Sequence, residues 1–217
     1  MSKAGRLRRL PQRHALRGLR HDVRGVTAIE FAIVAPVMMI LIMGLGELMY
    51  QEYVQVILNG SVQKAARDSA IQGGAQNTVA IDAKVIAMVG SIAKDLVPSC
   101  ASDPAPATWC STRKSYSQFG NIKAEYIYND NGNGIADGKE CFDDVNNNKS
   151  WDADPGATGQ GGANDVTLYT MSVTYPRLFP VARLVGMSAK QTLTSTTILK
   201  NQPYANQSVP TVTKICL

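Results

Sequence analysis

The residues best suited to hold a ligand lie in a polar stretch, NDNGNGIADGKE, which runs from Asn129 to Glu140. In a twelve-residue calcium loop, oxygen ligands alternate along the chain, a glycine makes the central turn and a glutamate closes the site. This stretch fits that spacing but has only two carboxylates, so it predicts a weak calcium site of extracellular type. The expected ligands are Asn129, Asn131, Asn133, the carbonyl oxygen of Ile135, Asp137 and Glu140, with Gly134 at the turn.

A second stretch repeats part of the same spacing. Lys149 stands where the turn glycine would be, and Pro155 stands where the closing glutamate would be, so this copy is degenerate. The alternative for both stretches is that Asn, Asp and Gly simply form surface turns, because their side chains mimic backbone turns and tolerate left-handed conformations. The candidate ligands of the second copy are Asp144, Asn146, Asn148 and Asp152.

Residues for catalysis are scarce outside the first 25 positions. Both histidines, His14 and His21, lie within them, which removes the usual general base from the rest of the chain. The sequence contains no phosphate-binding GxxxxGK[ST] motif, no HExxH motif and no dinucleotide-binding glycine pattern between a strand and a helix. We therefore expect a protein that is not an enzyme and that requires no cofactor, although it could bind calcium.

The four cysteines indicate an oxidising compartment. None belongs to a CxxC motif or to a Cys/His cluster with the spacing of metal ligands. Up to two disulfides are expected, and four cysteines allow three pairings. A bond between Cys100 and Cys110 is favoured because it would close a short Pro-rich loop, and the other two cysteines are Cys141 and Cys216.

An apolar run, VTAIEFAIVAPVMMILIMGLG, extends from Val26 to Gly46. As a helix it would be roughly 31 Å long, which matches the hydrocarbon core of a bilayer at about 30 Å. Basic residues precede it, whereas the residues just after it, 47–53, include two acids and no base. By the positive-inside rule, the N-terminus is expected in the cytoplasm. The preceding basic residues are Lys3, Arg6, Arg8, Arg9, Arg13, Arg17, Arg20 and Arg24.

The net charge of +5 comes from this N-terminal segment. The rest of the chain is close to neutral, with slightly more acids than bases. A nucleic-acid-binding domain should carry its basic face on the folded part. The sequence therefore predicts a topology signal and no nucleic-acid partner.

Glu30 is the unusual residue of the apolar run, because an ionised carboxylate within hydrocarbon costs about 3 kcal/mol or more unless it has a partner. Gly25 ends the basic stretch, and Glu30 is the fifth residue after it. This arrangement resembles the prepilin peptidase site of type IV pilins and pseudopilins. Residues 17–70, and above all RGVTAIEFAIVAPVMMILIMGLGELM, are especially similar to the TadE-like pseudopilins of tight-adherence (Flp-type) pilus systems. Weaker support comes from the segments LNGSVQKAAR at 58–67 and LKNQPY at 199–204.

The resemblance implies cleavage by prepilin peptidase after Gly25, with Val26 as the new N-terminus. Glu30, followed by Phe31, would then act in assembly by pairing with the α-amine of Val26 in the same chain or in a neighbouring subunit. The implied function is that of a minor pilin or pseudopilin in a Flp-type pilus. The implied partners are other pilus-assembly subunits, the inner-membrane Flp secretion platform, prepilin peptidase and the lipid bilayer.

The domain organisation follows from the apolar run and the patterns after it. We expect a cytoplasmic leader at 1–25, a transmembrane helix at 26–49 and a periplasmic domain at 50–217, in a single-pass protein of the bacterial inner membrane that could also enter a pilus. The alternative is an uncleaved, membrane-anchored periplasmic binding or adhesive domain with calcium-stabilised loops.

The expected fold is α+β, with a long N-terminal helix and a second helix packed on a small antiparallel sheet. Three- and four-residue apolar spacing continues the membrane helix as an amphipathic helix up to Gly73 and Gly74, and predicts a second helix, capped by Thr78, that ends before Pro98. The Asn/Asp-rich region is an insertion. Strands are predicted at 122–128, 166–175 and 190–199.

Overall fold

The computed structural model describes residues 25–101, 107–179, 181–184, 186–206 and 210–217, so the basic leader, 1–24, lies outside the described residues. The chain has two compact units, which divide between Gly46 and Glu47. The predicted α+β class is confirmed. The helices are α1 (Val26–Ser69), α2 (Thr78–Val89) and α3 (Val181–Leu184), and single 3₁₀ turns lie at Gly74–Gln76 and Phe119–Asn121. The strands are β1 (Val97–Pro98), β2 (Thr108–Tyr116), β3 (Ile127–Tyr128), β4 (Cys141–Asp144), β5 (Ala157–Thr158), β6 (Val166–Pro176), β7 (Lys190–Lys200) and β8 (Thr213–Cys216).

The first unit contains the apolar start of α1. Among the described residues, α1 is the one helix that is long and apolar enough to cross a membrane. The most apolar part of this helix has no buried residue. Pro36 lies within the helix, where it removes one backbone hydrogen bond without ending the element.

The second unit has its core between the rest of α1, α2 and one face of the larger sheet. Val54, Leu58 and Val62 form a fully buried stripe on α1, as the three- and four-residue spacing predicted. On β6, alternate residues such as Tyr169 and Val173 face this stripe, because successive side chains of a strand point to opposite sides. Each large apolar side chain buried in this way contributes about 1.5–3 kcal/mol.

Two sheets complete the second unit. The larger has the strand order β1-β2-β6-β7, and β5 also pairs with β2. Its pairs are antiparallel except for β1 with β2, which is parallel. The smaller sheet is antiparallel and has the order β3-β4-β8.

Several predicted boundaries differ from the structure. α1 ends at Ser69, before the predicted glycines. Asn77, and not Thr78, is the N-cap residue of α2, and it makes no capping bond through its side chain. α2 ends at Val89, where the Ser91 hydroxyl donates to the Met88 carbonyl at 2.7 Å and competes with the helical pattern.

The predicted strands at 166–175 and 190–199 correspond to β6 and β7, but the predicted strand at 122–128 shrinks to β3. The segment before β3 bonds to the polar loop instead, since the Glu125 amide donates to the Asp152 carbonyl at 3.0 Å. β2, β4 and β8 were not predicted.

Candidate functional site

The junction between Gly25 and Val26 lies at the start of α1. Val26 is the first residue of the helix, and Gly25 directly precedes it. A Cβ atom added to Gly25 would meet no atom within 4 Å, so packing among the described residues does not require glycine there. The same is true of Gly44, inside the apolar run.

Glu30 and Phe31 are both exposed on the first turns of α1. Residues four apart lie on the same face of a helix, so Glu30 is about 6 Å along the axis from Val26. No cationic side chain in the described part of the chain forms an ion pair with Glu30. The arrangement leaves the carboxylate available to a cation at the helix start or on another molecule.

Glu47, the residue after the apolar run, is held inside the second unit and was not predicted as a site residue. Its side chain is only 9% exposed. Oε2 accepts a hydrogen bond from the backbone N–H of Phe179 at 3.0 Å, and Oε1 lies 3.7 Å from the Arg177 guanidinium. The charge of Glu47 also affects Tyr175 on β6. Burial of the Tyr175 hydroxyl, together with the neighbouring Tyr50 and the charge of Glu47, raises its pKa to about 12.

A buried ionic cluster joins α2 to the larger sheet, and sequence analysis missed it. Asp82 accepts two hydrogen bonds from Arg113, at 2.5 and 3.0 Å, one from Ser111 at 2.5 Å and one from Tyr169 at 2.7 Å. The guanidinium carbon also lies 4.1 Å from the centre of the Tyr169 ring. The signal in the sequence was Asp82 itself, a charged residue on the apolar stripe of α2.

The protonation of this cluster is set by competing effects. Burial favours neutral Asp82, but hydrogen bonds from Arg113, Ser111 and Tyr169 and the charge of Arg113 outweigh it, so the pKa of Asp82 is lowered. Burial and the adjacent Asp82 raise the pKa of Tyr169. Asp82 is thus a carboxylate saturated with donors, which suits a structural ion pair better than a catalytic base.

The first Asn/Asp loop brings four of its predicted ligand residues together, Asn131, Asn133, Asp137 and Glu140. The Asp137 carboxylate accepts from the side-chain amides of Asn131 and Asn133, at 3.2 and 2.8 Å. Glu140 closes the loop by accepting from the backbone N–H groups of Asn131 and Asp137, at 2.8 and 3.2 Å. Asn129 has a left-handed backbone, with φ 57°.

The second loop repeats this geometry. Asp152 accepts from the side-chain amides of Asn146 and Asn148, at 2.9 and 2.6 Å. Asp144 is buried and accepts from the backbone N–H groups of Asn148 and Lys149, at 3.2 and 2.8 Å. Lys149 has φ 65°, close to the 71° of Gly134, so it adopts the turn conformation despite its side chain.

Glu125 has the same role in the second loop as Glu140 has in the first, because each carboxylate accepts hydrogen bonds from two backbone N–H groups of its loop. Glu125 was not predicted as a site residue. Its carboxylate accepts from the backbone N–H groups of Val145 and Asp152, both at 2.9 Å. Burial raises the pKa of Glu125, and the charges of Asp152 and Asp144 add to that rise against the two backbone hydrogen bonds. The missing closing glutamate of the degenerate copy is thus replaced by a residue that precedes both loops.

Calcium binding by these loops stays a prediction. Across the described residues, no three His, Cys, Asp or Glu side chains form a group that could hold a metal ion. A bound calcium would therefore depend on Asn side chains and backbone carbonyls as well as on carboxylates. Asn131, Asn133, Asn146 and Asn148 would have to turn their amide oxygens toward the ion.

Both expected disulfides are present. Cys100 bonds to Cys110, the pairing that the short loop favoured, and Cys141 bonds to Cys216. The second bond links β4 to β8 across the smaller sheet.

No curated protein and no solved structure matches the chain. A family match exists for the N-terminal part of the described residues, which includes Gly25, Glu30 and Glu47. Residues 25–67 match the family model described as TadE-like protein, and this match confirms the resemblance found in the sequence.

Proposed function

We propose that this protein is a minor pilin or pseudopilin that takes part in assembling a Flp-type pilus. The observation that carries the proposal is the first part of α1, an exposed apolar helix with a carboxylate on its second turn, within the segment that matches the TadE-like family. The family match supports involvement in a tight-adherence pilus system.

The first step is anchoring in the bacterial inner membrane. Side chains such as Ile29, Leu41 and Leu45 are exposed, and a helix that exposes apolar side chains all round requires lipid or other apolar helices as its surroundings. The basic residues before the helix favour a cytoplasmic N-terminus, which would place the second unit in the periplasm. The two disulfides agree with that oxidising compartment.

The second step is processing by prepilin peptidase after Gly25. Among the described residues, no atom lies within 4 Å of the place that a side chain at Gly25 would take, so the junction is open to an enzyme. Cleavage would create a cationic α-amine on Val26, one helical turn from Glu30. An opposite charge at that distance favours the ionised carboxylate and lowers its cost in the membrane.

The third step is association with other pilus subunits. When apolar helices leave the bilayer for a filament, they bury their exposed faces against one another, and Phe31 is 73% exposed and available for such packing. Glu30 would set the axial register by pairing with the α-amine of an adjacent subunit. The work of the protein would then be association with the secretion platform and other subunits, without catalysis.

The test of processing is intact mass and N-terminal sequencing of the protein from membranes with and without prepilin peptidase. We expect a peptidase-dependent start at Val26. Gly25→Leu should abolish it, and Gly44→Leu is the matched control, because a side chain at either glycine meets no atom within 4 Å. A start at Met1 or Ser2 in both strains would contradict processing and leave the alternative, an anchored periplasmic binding domain.

The test of the assembly step compares two carboxylates on α1. Glu30→Gln should sharply reduce recovery of the subunit in sheared pili or its crosslinking to other subunits. Glu52→Gln removes the same charge from an exposed position beyond the apolar run and should have little effect. Equal behaviour of the two variants would contradict a role for Glu30 in register.

A further inference from the structure

The connection between β6 and β7 forms an apolar and basic surface, here called the β6–β7 tip and defined by residues 176–179, 181–184 and 186–190. It includes the short helix α3. Leu178, Leu184 and Met187 are 56%, 73% and 54% exposed, which is unusual for three large apolar residues so close in sequence. No described residue of the second unit covers the exposed part of these side chains.

The charges of the β6–β7 tip are all positive. Arg177, Arg183 and Lys190 lie in it, and the sequence from 176 to 190 contains no Asp or Glu. Arg183 is exposed. A cleft of 490 Å³ is lined by all three basic residues together with Leu178 and Phe179. Because Arg177 lies 3.7 Å from Glu47, Arg183 is the exposed cation beside this apolar wall. This composition suits an anionic headgroup attached to acyl chains.

The β6–β7 tip has a defined conformation. The Arg177 guanidinium donates to the Ser188 carbonyl at 2.9 Å, and the Arg177 amide donates to the Ala189 carbonyl at 3.0 Å. The Met187 amide donates to the Ala182 carbonyl at 2.9 Å. The exposed apolar side chains are therefore displayed by an ordered turn.

Glu47 fixes where this surface lies. Its carboxylate binds the Phe179 amide and approaches Arg177, so the β6–β7 tip contacts the first residue of the second unit. Glu47 follows Gly46, the last residue of the apolar run, directly in sequence. If α1 spans the bilayer as proposed, with the transmembrane helix ending near residue 49, Glu47 lies close to the outer boundary of the hydrocarbon, and the tip lies beside it.

We propose that the β6–β7 tip rests on the outer surface of the inner membrane. Leu178, Leu184 and Met187 enter the boundary between headgroups and acyl chains, and Arg183 contacts anionic lipid phosphates. This inference rests on the proposed anchoring of α1 but not on cleavage or filament assembly. A surface that is apolar, basic and adjacent to the end of the membrane helix fits lipid better than it fits an acidic protein, which would leave the apolar side chains exposed.

The experiment uses the full chain in lipid nanodiscs that contain phosphatidylglycerol and a lipid with a nitroxide quencher near its headgroup. Single cysteines are introduced by Leu184→Cys, Val79→Cys and Ile40→Cys and labelled with the environment-sensitive dye NBD. All four native cysteines are in disulfides, so the introduced cysteine is the reactive one. Val79 is 80% exposed at the start of α2, which follows the far end of α1, and is the matched control.

We expect several-fold stronger quenching at position 184 than at position 79, with a blue-shifted emission at position 184. A parallel pair tests the charge: Arg183→Gln should reduce quenching at position 184, whereas Lys84→Gln, which removes an exposed charge from α2, should not. Replacing phosphatidylglycerol with phosphatidylcholine should mimic Arg183→Gln.

The labelled positions distinguish failure of the anchoring proposal from failure of the tip proposal. Strong lipid quenching in bilayers containing quencher along the acyl chain is expected at position 40, and its absence would overturn both the anchoring and the tip proposal. Quenching at position 40 with none at position 184 would overturn the tip proposal alone. A blue shift at position 184 that no lipid quencher affects would show burial against protein and would also overturn it.

Discussion

Two stretches of α1 differ in what covers their apolar side chains. Leu41, in the first stretch, is 55% exposed, whereas Leu58, in the second, is fully buried. The backbone is helical in both. The second stretch takes its surroundings from α2 and β6, whereas the first requires an apolar solvent or other helices. The comparison shows that apolar composition alone does not identify a core. Whether an apolar helix face is buried in the protein depends on the elements that pack against it.

The largest expected effect comes from removing the charge that binds α2 to the sheet. Asp82→Ala leaves the Arg113 guanidinium buried without its partner, which should cost about 3–5 kcal/mol of unfolding free energy. Urea unfolding of the full chain in detergent, followed by the fluorescence of Trp109 and Trp151, measures it. The control Asp68→Ala removes a half-exposed carboxylate 3.8 Å from Lys84 and should be nearly neutral.

A matched pair of leucines tests the comparison directly. Leu58→Ala should destabilise the second unit by about 2–5 kcal/mol, because it leaves a cavity in the core. Leu41→Ala should leave the urea midpoint of that unit unchanged, since its side chain contributes nothing to the core. Similar losses for both variants would show that the first stretch also packs in a protein core.

Calcium is expected to stabilise the polar loops and not the helical core. With an extracellular-grade dissociation constant of about 10⁻⁴–10⁻³ M, 10 mM calcium would add roughly 1.5–3 kcal/mol. The measurement is the thermal midpoint with 10 mM calcium against 10 mM magnesium. Glu140→Gln should weaken the response, and a midpoint that calcium leaves unchanged would refute binding.

The smallest expected effect is a pH dependence from Asp82. Its pKa is lower in the folded state than the ordinary 3.8, so its contribution to stability is present above the unfolded pKa and is lost as the pH falls through the folded value. Wild type should therefore lose more stability on acidification below about pH 4 than Asp82→Asn does. The pKa of Glu125 is raised in the folded state, so its effect on stability is opposite: it favours the folded state more as the pH falls. Parallel urea midpoints between pH 3 and pH 7 measure the difference, and identical slopes would contradict the role given to Asp82.

The sequence predicted the features that depend on local patterns. The stripe of Val54, Leu58 and Val62 follows from helical periodicity, and β6 and β7 follow from β-branched and aromatic residues between turns. β2 escaped prediction because its sequence, TWCSTRKSY, has no apolar alternation. Its Arg113 is buried by contact with Asp82, a partner 31 residues away that no local pattern reveals.

In the candidate site, too, the sequence predicted local contacts but not contacts between residues that are distant in sequence. The spacing of the first Asn/Asp loop identified Asp137 and Glu140, which the structure brings together with Asn131. Glu125 and Glu47 were missed because their partners are distant in sequence: Glu125 bonds to residues 20 and 27 positions away, and Glu47 to one 132 positions away. Long-range hydrogen bonds of this kind need the fold before they can be assigned.

The disulfide between Cys141 and Cys216 determines how strand β8 responds to mechanical force applied to the chain after it. β8 is held to β4 by four residue pairs, and the pair at the end of β8 joins Cys216 to Cys141. Cys216 is the last residue of β8, so a pull on the chain after it reaches the covalent bond before it can open the ladder. The tension passes to Cys141 and to the chain before it, and the chain between the two cysteines, which contains β6 and β7, forms a closed ring outside the path of the load.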